Sequence, residues 1–103
     1  MAYNLVITHM AENELDDIVC YISNNLSNPS AAVDFLEQVE ICFNHLIDNP
    51  FIYTLCDNSE FMKNGYRKVT IKNYILIYKV DESANTVYVL HFFFGRRDYF
   101  NLI

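Results

Sequence analysis

The sequence predicts an α+β fold of the order β-α-α-β-β-β, in which a helical hairpin packs on one face of a mainly antiparallel four-stranded sheet. Two observations support this prediction. Apolar residues recur at helical spacing from His9 to Ile47, whereas after Gly65 they follow a period of about two. Runs of helices beside runs of strands, without strict alternation, are typical of α+β proteins. A chain of 103 residues can bury a real core, so we expect 1–103 to form one domain.

The N-terminal part of the chain predicts one strand and one helix. The stretch YNLVIT, residues 3–8, is apolar and β-branched and contains no breaker, which is typical of a strand. Thr8 can cap the amphipathic helix that we expect from His9 to about Leu26. Acidic residues lie in the early turns of this helix, where the N-terminal dipole favours them.

A second helix is expected after the break SNPSAAVDF. Ser27 or Asn28 can cap it, Pro29 suits its first position, and Pro50 ends it. The two helices therefore form a hairpin. Residues 50–65 are expected to be a connection with a half-turn around SEFMKNG.

Three strands are expected after Gly65. They are YRKVTIK (66–72), YILIYKV (74–80) and TVYVLHFFF (86–94), with the hairpin turn DESAN (81–85) between the last two. Side chains alternate between the faces of a strand, so Val69 and Ile71 should face the helices. The helix-free face should carry Lys68, Thr70, Lys72, Ile75, Ile77, Lys79, His91, Phe93 and Arg97. We expect Ile75, Ile77 and Phe93 to form an exposed apolar patch there, which usually marks a protein contact.

Charge is distributed unevenly along the chain. Residues 1–62 hold ten acids and no lysine or arginine, whereas residues 63–103 hold all seven bases and three acids, for a net charge of −6. Net acidity argues against tight, non-specific binding to a polyanion, because such binding is driven by counterion release at a basic surface. A local basic face remains open.

Several other classes of protein are excluded or disfavoured. No apolar run approaches the ~20 residues of a membrane span, and the N-terminus lacks a signal-peptide pattern, so we expect a cytoplasmic protein. Cys20, Cys42 and Cys56 are odd in number and far apart, which favours reduced thiols over disulfides or a zinc site. His9 and His45 have no ligand set around them, and we expect no metal and no cofactor.

The chain resembles the RelE/ParE superfamily, the toxins of bacterial type II toxin-antitoxin pairs and plasmid-stabilisation systems. The resemblance covers essentially the whole length. It depends on the element order and on the segments AENELDDIVCYI, NPSAAVDFLEQV, LIDNP, GYRKVTIKNYILIYKV and VLHFFFGRRDYFNLI. It implies a growth-inhibiting toxin neutralised by a cognate antitoxin that wraps around the helices and sheet. RelE-like members cleave messenger RNA in the ribosomal A site without a metal, and ParE-like members block DNA gyrase.

Carried over residue by residue, the RNA-cleaving set implied by the resemblance is incomplete. Two basic residues are expected before Tyr74, and they correspond to Lys68 and Thr70. One of the two bases is therefore missing, although a shift of the correspondence by one residue stays open. The arginine expected directly after the tyrosine is Ile75. The arginine after the glycine is present as Arg97, with Arg96 beside it, and pairing of either with helix acids is the alternative reading. The residue expected at the extreme C-terminus falls at Ile103, with Tyr99 nearby.

The residues leave three functions open. Because Ile75 removes a cation from the place where charge develops, we favour a ParE-like gyrase inhibitor. A ribosome-dependent RNA endonuclease would use Lys68, Lys72 and Arg97, with Tyr99 or His91 as acid or base. A non-toxic module that binds an antitoxin and regulates transcription is the third. A single-stranded RNA binder is disfavoured, since Ile75 and Ile77 replace the expected stacking aromatics.

Overall fold

The predicted element order is confirmed by a computed structural model, which describes residues 2–56 and 59–95. The elements are β1 (Asn4–Ile7), α1 (His9–Cys20), a π-helical turn (Tyr21–Asn25), α2 (Pro29–Asp48), α3 (Ser59–Lys63), β2 (Arg67–Ile71), β3 (Tyr74–Asp81) and β4 (Thr86–Phe94). The short helix α3 lies where the half-turn was expected. In the described part of the chain, no helix is long and apolar enough to cross a membrane.

The helix starts follow the predicted capping residues. Thr8 Oγ1 accepts a hydrogen bond from the Ala11 N–H, and Asn28 Oδ1 accepts one from the Ala31 N–H. The first helix ends differently from the prediction. Its last turn is π-helical, because the Leu26 N–H donates to the Tyr21 carbonyl five residues back.

The sheet has the strand order β1-β4-β3-β2. β1 runs parallel to β4, and the pairs β4–β3 and β3–β2 are antiparallel, so the mainly antiparallel sheet is confirmed. β1 has four residues and pairs with Thr86–Val89, so among the described residues no strand lies beside the C-terminal half of β4 on that side. α1 begins beside this half of β4, because β1 runs parallel to β4 and ends opposite Val89.

The main core lies between the helices and one face of the sheet. Val69 and Ile71 point into it, as the alternation predicted. Its largest fully buried side chains come from α2 and the two central strands: Phe35, Leu46, Leu76, Tyr78, Val87 and Val89. Each fully buried aliphatic side chain of this kind contributes roughly 1.5–3 kcal/mol.

The segment after α2 is tied to the sheet by polar contacts. The Tyr78 hydroxyl, at the centre of the core, donates to the Pro50 carbonyl at 2.6 Å. Arg67 donates from Nη1 to the Tyr53 carbonyl at 2.6 Å, and the Tyr53 hydroxyl lies 3.0 Å from His45 Nδ1. The chain then runs along the outer edge of β2, where the Lys68 N–H donates to the Thr54 carbonyl. These contacts hold the connection between α2 and β2 at the edge of the sheet, from which it reaches the face opposite α1 and α2.

Stability should fall at alkaline pH because of Cys42. Burial raises the pKa of this thiol from 9.0 to about 11, against a smaller lowering effect of its hydrogen bond with Tyr53. The thiol therefore loses its proton at a lower pH in the unfolded chain than in the folded chain. The contribution of Cys42 to the free energy of unfolding is fully present below pH 9 and is lost as the pH rises through 11. We expect a loss of up to about 2 kcal/mol. Urea unfolding of the wild type and of Cys42→Ala across this range measures it. Parallel pH profiles would contradict the assignment.

Candidate functional site

The helix-free face of the sheet groups most of the predicted site residues in register. Lys68 pairs with Ile77, and Thr70 pairs with Ile75 across β2 and β3. On the other side of β3, Ile75 pairs with Phe93 and Ile77 pairs with His91. Residues that are paired directly across strands point to the same face, so the predicted grouping of these six side chains is confirmed.

The apolar middle of this face is not exposed, and the expectation of an exposed patch was wrong. Ile75, Ile77 and Phe93 are 8%, 0% and 6% exposed. They form a second core with Cys56 and Phe61, which the connection between α2 and β2 lays over the sheet. The chain therefore covers this patch itself. A role of the three residues in binding a partner stays a prediction.

A β-bulge in β4 sets which of its side chains reach this face. Tyr78 pairs with Val89 and Ile77 with His91, so Leu90 is the extra residue. Val89 packs in the main core, whereas Leu90 packs against the second core. The bulge thus lets Val89 and His91 face opposite sides, although they are two positions apart and would share a face in a regular strand.

His91 is held by a residue that the sequence analysis did not single out. Its Nδ1 lies 3.1 Å from Glu14 Oε1, and the Phe92 N–H donates to the same oxygen at 3.3 Å. Glu14 lies on α1. Its carboxylate accepts the hydrogen bond of the Phe92 N–H, which lies beyond the part of β4 that pairs with β1. The His91 ring also stacks on Phe93, with centroids 4.9 Å apart. These contacts fix the imidazole at the edge of the sheet, and a catalytic role for it stays a prediction.

Lys72 does not belong to the helix-free face, and this expectation was wrong. It lies in the tight turn between β2 and β3 with a φ of 56°, so the strand alternation ends before it. Its Nζ lies 2.7 Å from Asp34 Oδ2 on α2, on the helix side of the sheet. Both side chains are about half exposed, so the pair contributes at most ~1 kcal/mol.

A small pocket lies at the end of the sheet next to this turn. It has a volume of about 190 Å³ and is lined by Thr70, Lys72, Asn73, Ile75 and Gly95. The Gly95 N–H donates to the Asn73 carbonyl at 2.7 Å. A Cβ at residue 95 would lie 3.0 Å from that carbonyl oxygen, so glycine permits the approach. Its position in the motif FFFGRR, directly before two arginines, was the available signal for this pocket.

The remaining predicted residues relate to the pocket in different ways. Lys68 is half-buried two residues before Thr70 and does not line it. His91 lies four residues before Gly95, roughly 13 Å along the strand. The chain continues from Gly95 directly into Arg96 and Arg97. These two arginines and Tyr99 lie outside the described residues.

The pocket offers polar groups with little net charge. Its one described cation, Lys72, is matched by Asp34, and Ile75 supplies an apolar wall. The Thr70 hydroxyl and the Asn73 amide can donate and accept hydrogen bonds. In residues 2–56 and 59–95, no three His, Cys, Asp or Glu side chains lie close enough together to hold a metal ion. Holding a phosphate group here would require cations from beyond Gly95.

Comparison with known proteins gives a family and a fold. The family model for the ParE toxin of the type II toxin-antitoxin system parDE matches residues 5–99. The chain is similar to a structure of the chromosomal ParDE toxin-antitoxin system from P. aeruginosa, with a TM-score of 0.68 and 17% identity over 89% of this chain and 95% of that chain. It is also similar to the toxin-antitoxin complex RelBE2 from Mycobacterium tuberculosis, with a TM-score of 0.64 and 19% identity over 91% and 99%. Curated protein sequences give no significant match.

Proposed function

The chain belongs to the family of ParE toxins of type II toxin-antitoxin systems, and from this membership we propose that it arrests growth by inhibiting DNA gyrase until a cognate antitoxin binds it. The gyrase target places its action in the cytoplasm. Growth arrest of cells that lose the antitoxin would account for plasmid stabilisation. The proposal concerns binding to a protein target and requires no cofactor.

The observation that carries the choice of target is the apolar side chain of Ile75 in the wall of the pocket. Cleaving RNA without a metal requires cations around the scissile phosphate, where negative charge develops. Ile75 stands where the RNA-cleaving relatives are expected to have arginine, and its side chain is buried against Phe93 and Phe61. Lys72, the nearest described cation, is engaged by Asp34. These contacts support a protein target over a scissile phosphate.

The charge of the chain supports the same choice. A net charge of −6 opposes approach to ribosomal and messenger RNA, because both are polyanions and like charges repel. The acidic residues are concentrated before residue 63, on the helical half of the molecule. A protein target is not a uniform polyanion, so this argument does not count against it.

A ribosome-dependent RNA endonuclease is the second candidate. It is favoured by one feature, since the pocket combines Lys72, Thr70 and Asn73 with the start of the segment that carries Arg96 and Arg97. In that reading Lys68 and Arg97 would hold the phosphate. Tyr99 or His91 would move the proton.

The experiment that tests the proposal is expression from an inducible promoter in a bacterial host, with and without the protein encoded by the adjacent reading frame. We expect growth arrest that the second protein relieves. Purified chain is then added to a gyrase supercoiling assay and to translating ribosomes. Loss of supercoiling with intact messenger RNA supports the proposal. Cleaved messenger RNA supports the second candidate, and unaffected growth, supercoiling and transcripts would overturn the toxin function itself.

A further inference from the structure

The outer face of α2 combines exposed apolar and acidic side chains. Val33, Leu36 and Ile41 are 56%, 41% and 47% exposed, which is unusual for large apolar residues of one helix. Glu37 and Glu40 are exposed between them. Glu37 is four residues from both Val33 and Ile41, and Glu40 is four residues from Leu36, so the five side chains are neighbours on the helix surface. We call this set the α2 outer face.

Among residues 2–56 and 59–95, no positive charge is placed to neutralise this face. The sequence has no lysine or arginine before residue 63. The cation that reaches α2 in the described part of the chain is Lys72, and it pairs with Asp34 on the flank of the helix. Among the described residues, no ion pair involves Glu37 or Glu40. Their like charges, three residues apart, therefore repel each other in the free chain.

The charge of the face restricts what can cover it. A second copy of the chain would bring the same two glutamates against themselves. A nucleic acid or an anionic membrane would be repelled in the same way. The exposed apolar residues require an apolar counterpart, and the glutamates require cations. A protein segment that alternates apolar residues with lysine or arginine meets both requirements.

We propose that the α2 outer face binds a basic, amphipathic segment of the cognate antitoxin. The inference rests on the proposed toxin function and adds to it the chemistry of the neutralising segment. Apolar side chains of the segment pack on Val33, Leu36 and Ile41, and its lysines or arginines reach Glu37 and Glu40. Because the ion pairs lie at the surface, the binding weakens as salt is raised.

The test measures the affinity of the purified chain for the protein encoded by the adjacent reading frame, at about 50 and about 200 mM salt. The variant Glu37→Lys/Glu40→Lys should bind at least about tenfold more weakly, with a smaller salt dependence. The matched control is Glu12→Lys/Glu82→Lys. It makes the same change in net charge at two exposed positions on α1 and in the β3–β4 turn, and it should bind like the wild type. Val33→Ser/Ile41→Ser should weaken binding without removing a charge.

The outcomes separate this inference from the proposed function. Equal affinities of Glu37→Lys/Glu40→Lys and its control would overturn the α2 outer face as the binding site, while growth arrest and neutralisation would still support the toxin. A wild-type chain that neither arrests growth nor binds the neighbouring protein would overturn both. Self-association that Val33→Ser/Ile41→Ser abolishes would show a second copy as the occupant and overturn the inference. Circular dichroism of each variant verifies folding.

Discussion

Replacing Ile77 by alanine should lower the free energy of unfolding by about 3 kcal/mol. The side chain is fully buried on the face of the sheet away from α1 and α2. It packs against Cys56 and Phe61 from the connection, and truncation leaves a cavity that this second core cannot fill by a small shift. Urea unfolding followed by circular dichroism measures the change.

Thr70→Ala provides the matched control for this measurement. Thr70 lies on the same face, next to Ile75 in the register, but its side chain is exposed. Its replacement should change the free energy of unfolding by less than about 0.5 kcal/mol. If Ile77→Ala were as mild as Thr70→Ala, the second core would be open in solution, and the three apolar residues would again be available to a partner.

Replacing Arg97 by alanine should reduce growth inhibition by about tenfold or more. Arginine side chains dominate many protein interfaces, because their fixed guanidinium fork binds several acceptors at once. Arg97 lies two residues after Gly95, which lines the pocket, and within the segment 5–99 that the family model matches. Lys68→Ala should reduce the inhibition in the same direction. Titration of supercoiling activity with each purified variant measures the effect directly.

Lys63→Ala is the control for these two variants. Lys63 ends α3 and is exposed, so its removal takes away one positive charge at a distance from the pocket. It should inhibit growth as the wild type does. Full toxicity of both Arg97→Ala and Lys68→Ala, with unfolding midpoints like that of the wild type, would contradict the assignment of these residues to the site.

Local sequence signals were sufficient for the helix starts and for the face assignments within β2 and β3. Thr8, Asn28 and Pro29 mark helix starts because a cap needs only a side-chain oxygen and N–H groups a few residues away. The alternation along β2 placed Val69 and Ile71 on the helix side, since strand geometry leaves two directions for a side chain. These features depend on neighbours in sequence, so the sequence alone could predict them.

The burial of the second face could not be predicted in the same way. Cys56 lies in the irregular part of the connection and Phe61 on α3, which has only five residues, so nothing local indicates that they cross to the far side of the sheet. Their position depends on Tyr78 and Arg67, which bind the carbonyls of Pro50 and Tyr53 from distant parts of the chain.

The positions of three site residues depend on contacts between distant parts of the sequence or on a change of backbone geometry. Glu14 reaches His91 across 77 residues. Lys72 leaves the strand alternation because it occupies a tight turn, and its charge then meets Asp34. Gly95 was visible only as part of a motif, and its close approach to Asn73 explains why glycine stands there.

The central claim is that the chain acts on gyrase, and supercoiling of a relaxed plasmid by purified gyrase tests it most directly. We expect supercoiling to fall as the chain is added, to return when the antitoxin is added, and messenger RNA on translating ribosomes to stay intact at the same concentrations. Unchanged supercoiling together with cleaved messenger RNA at those concentrations would contradict the claim.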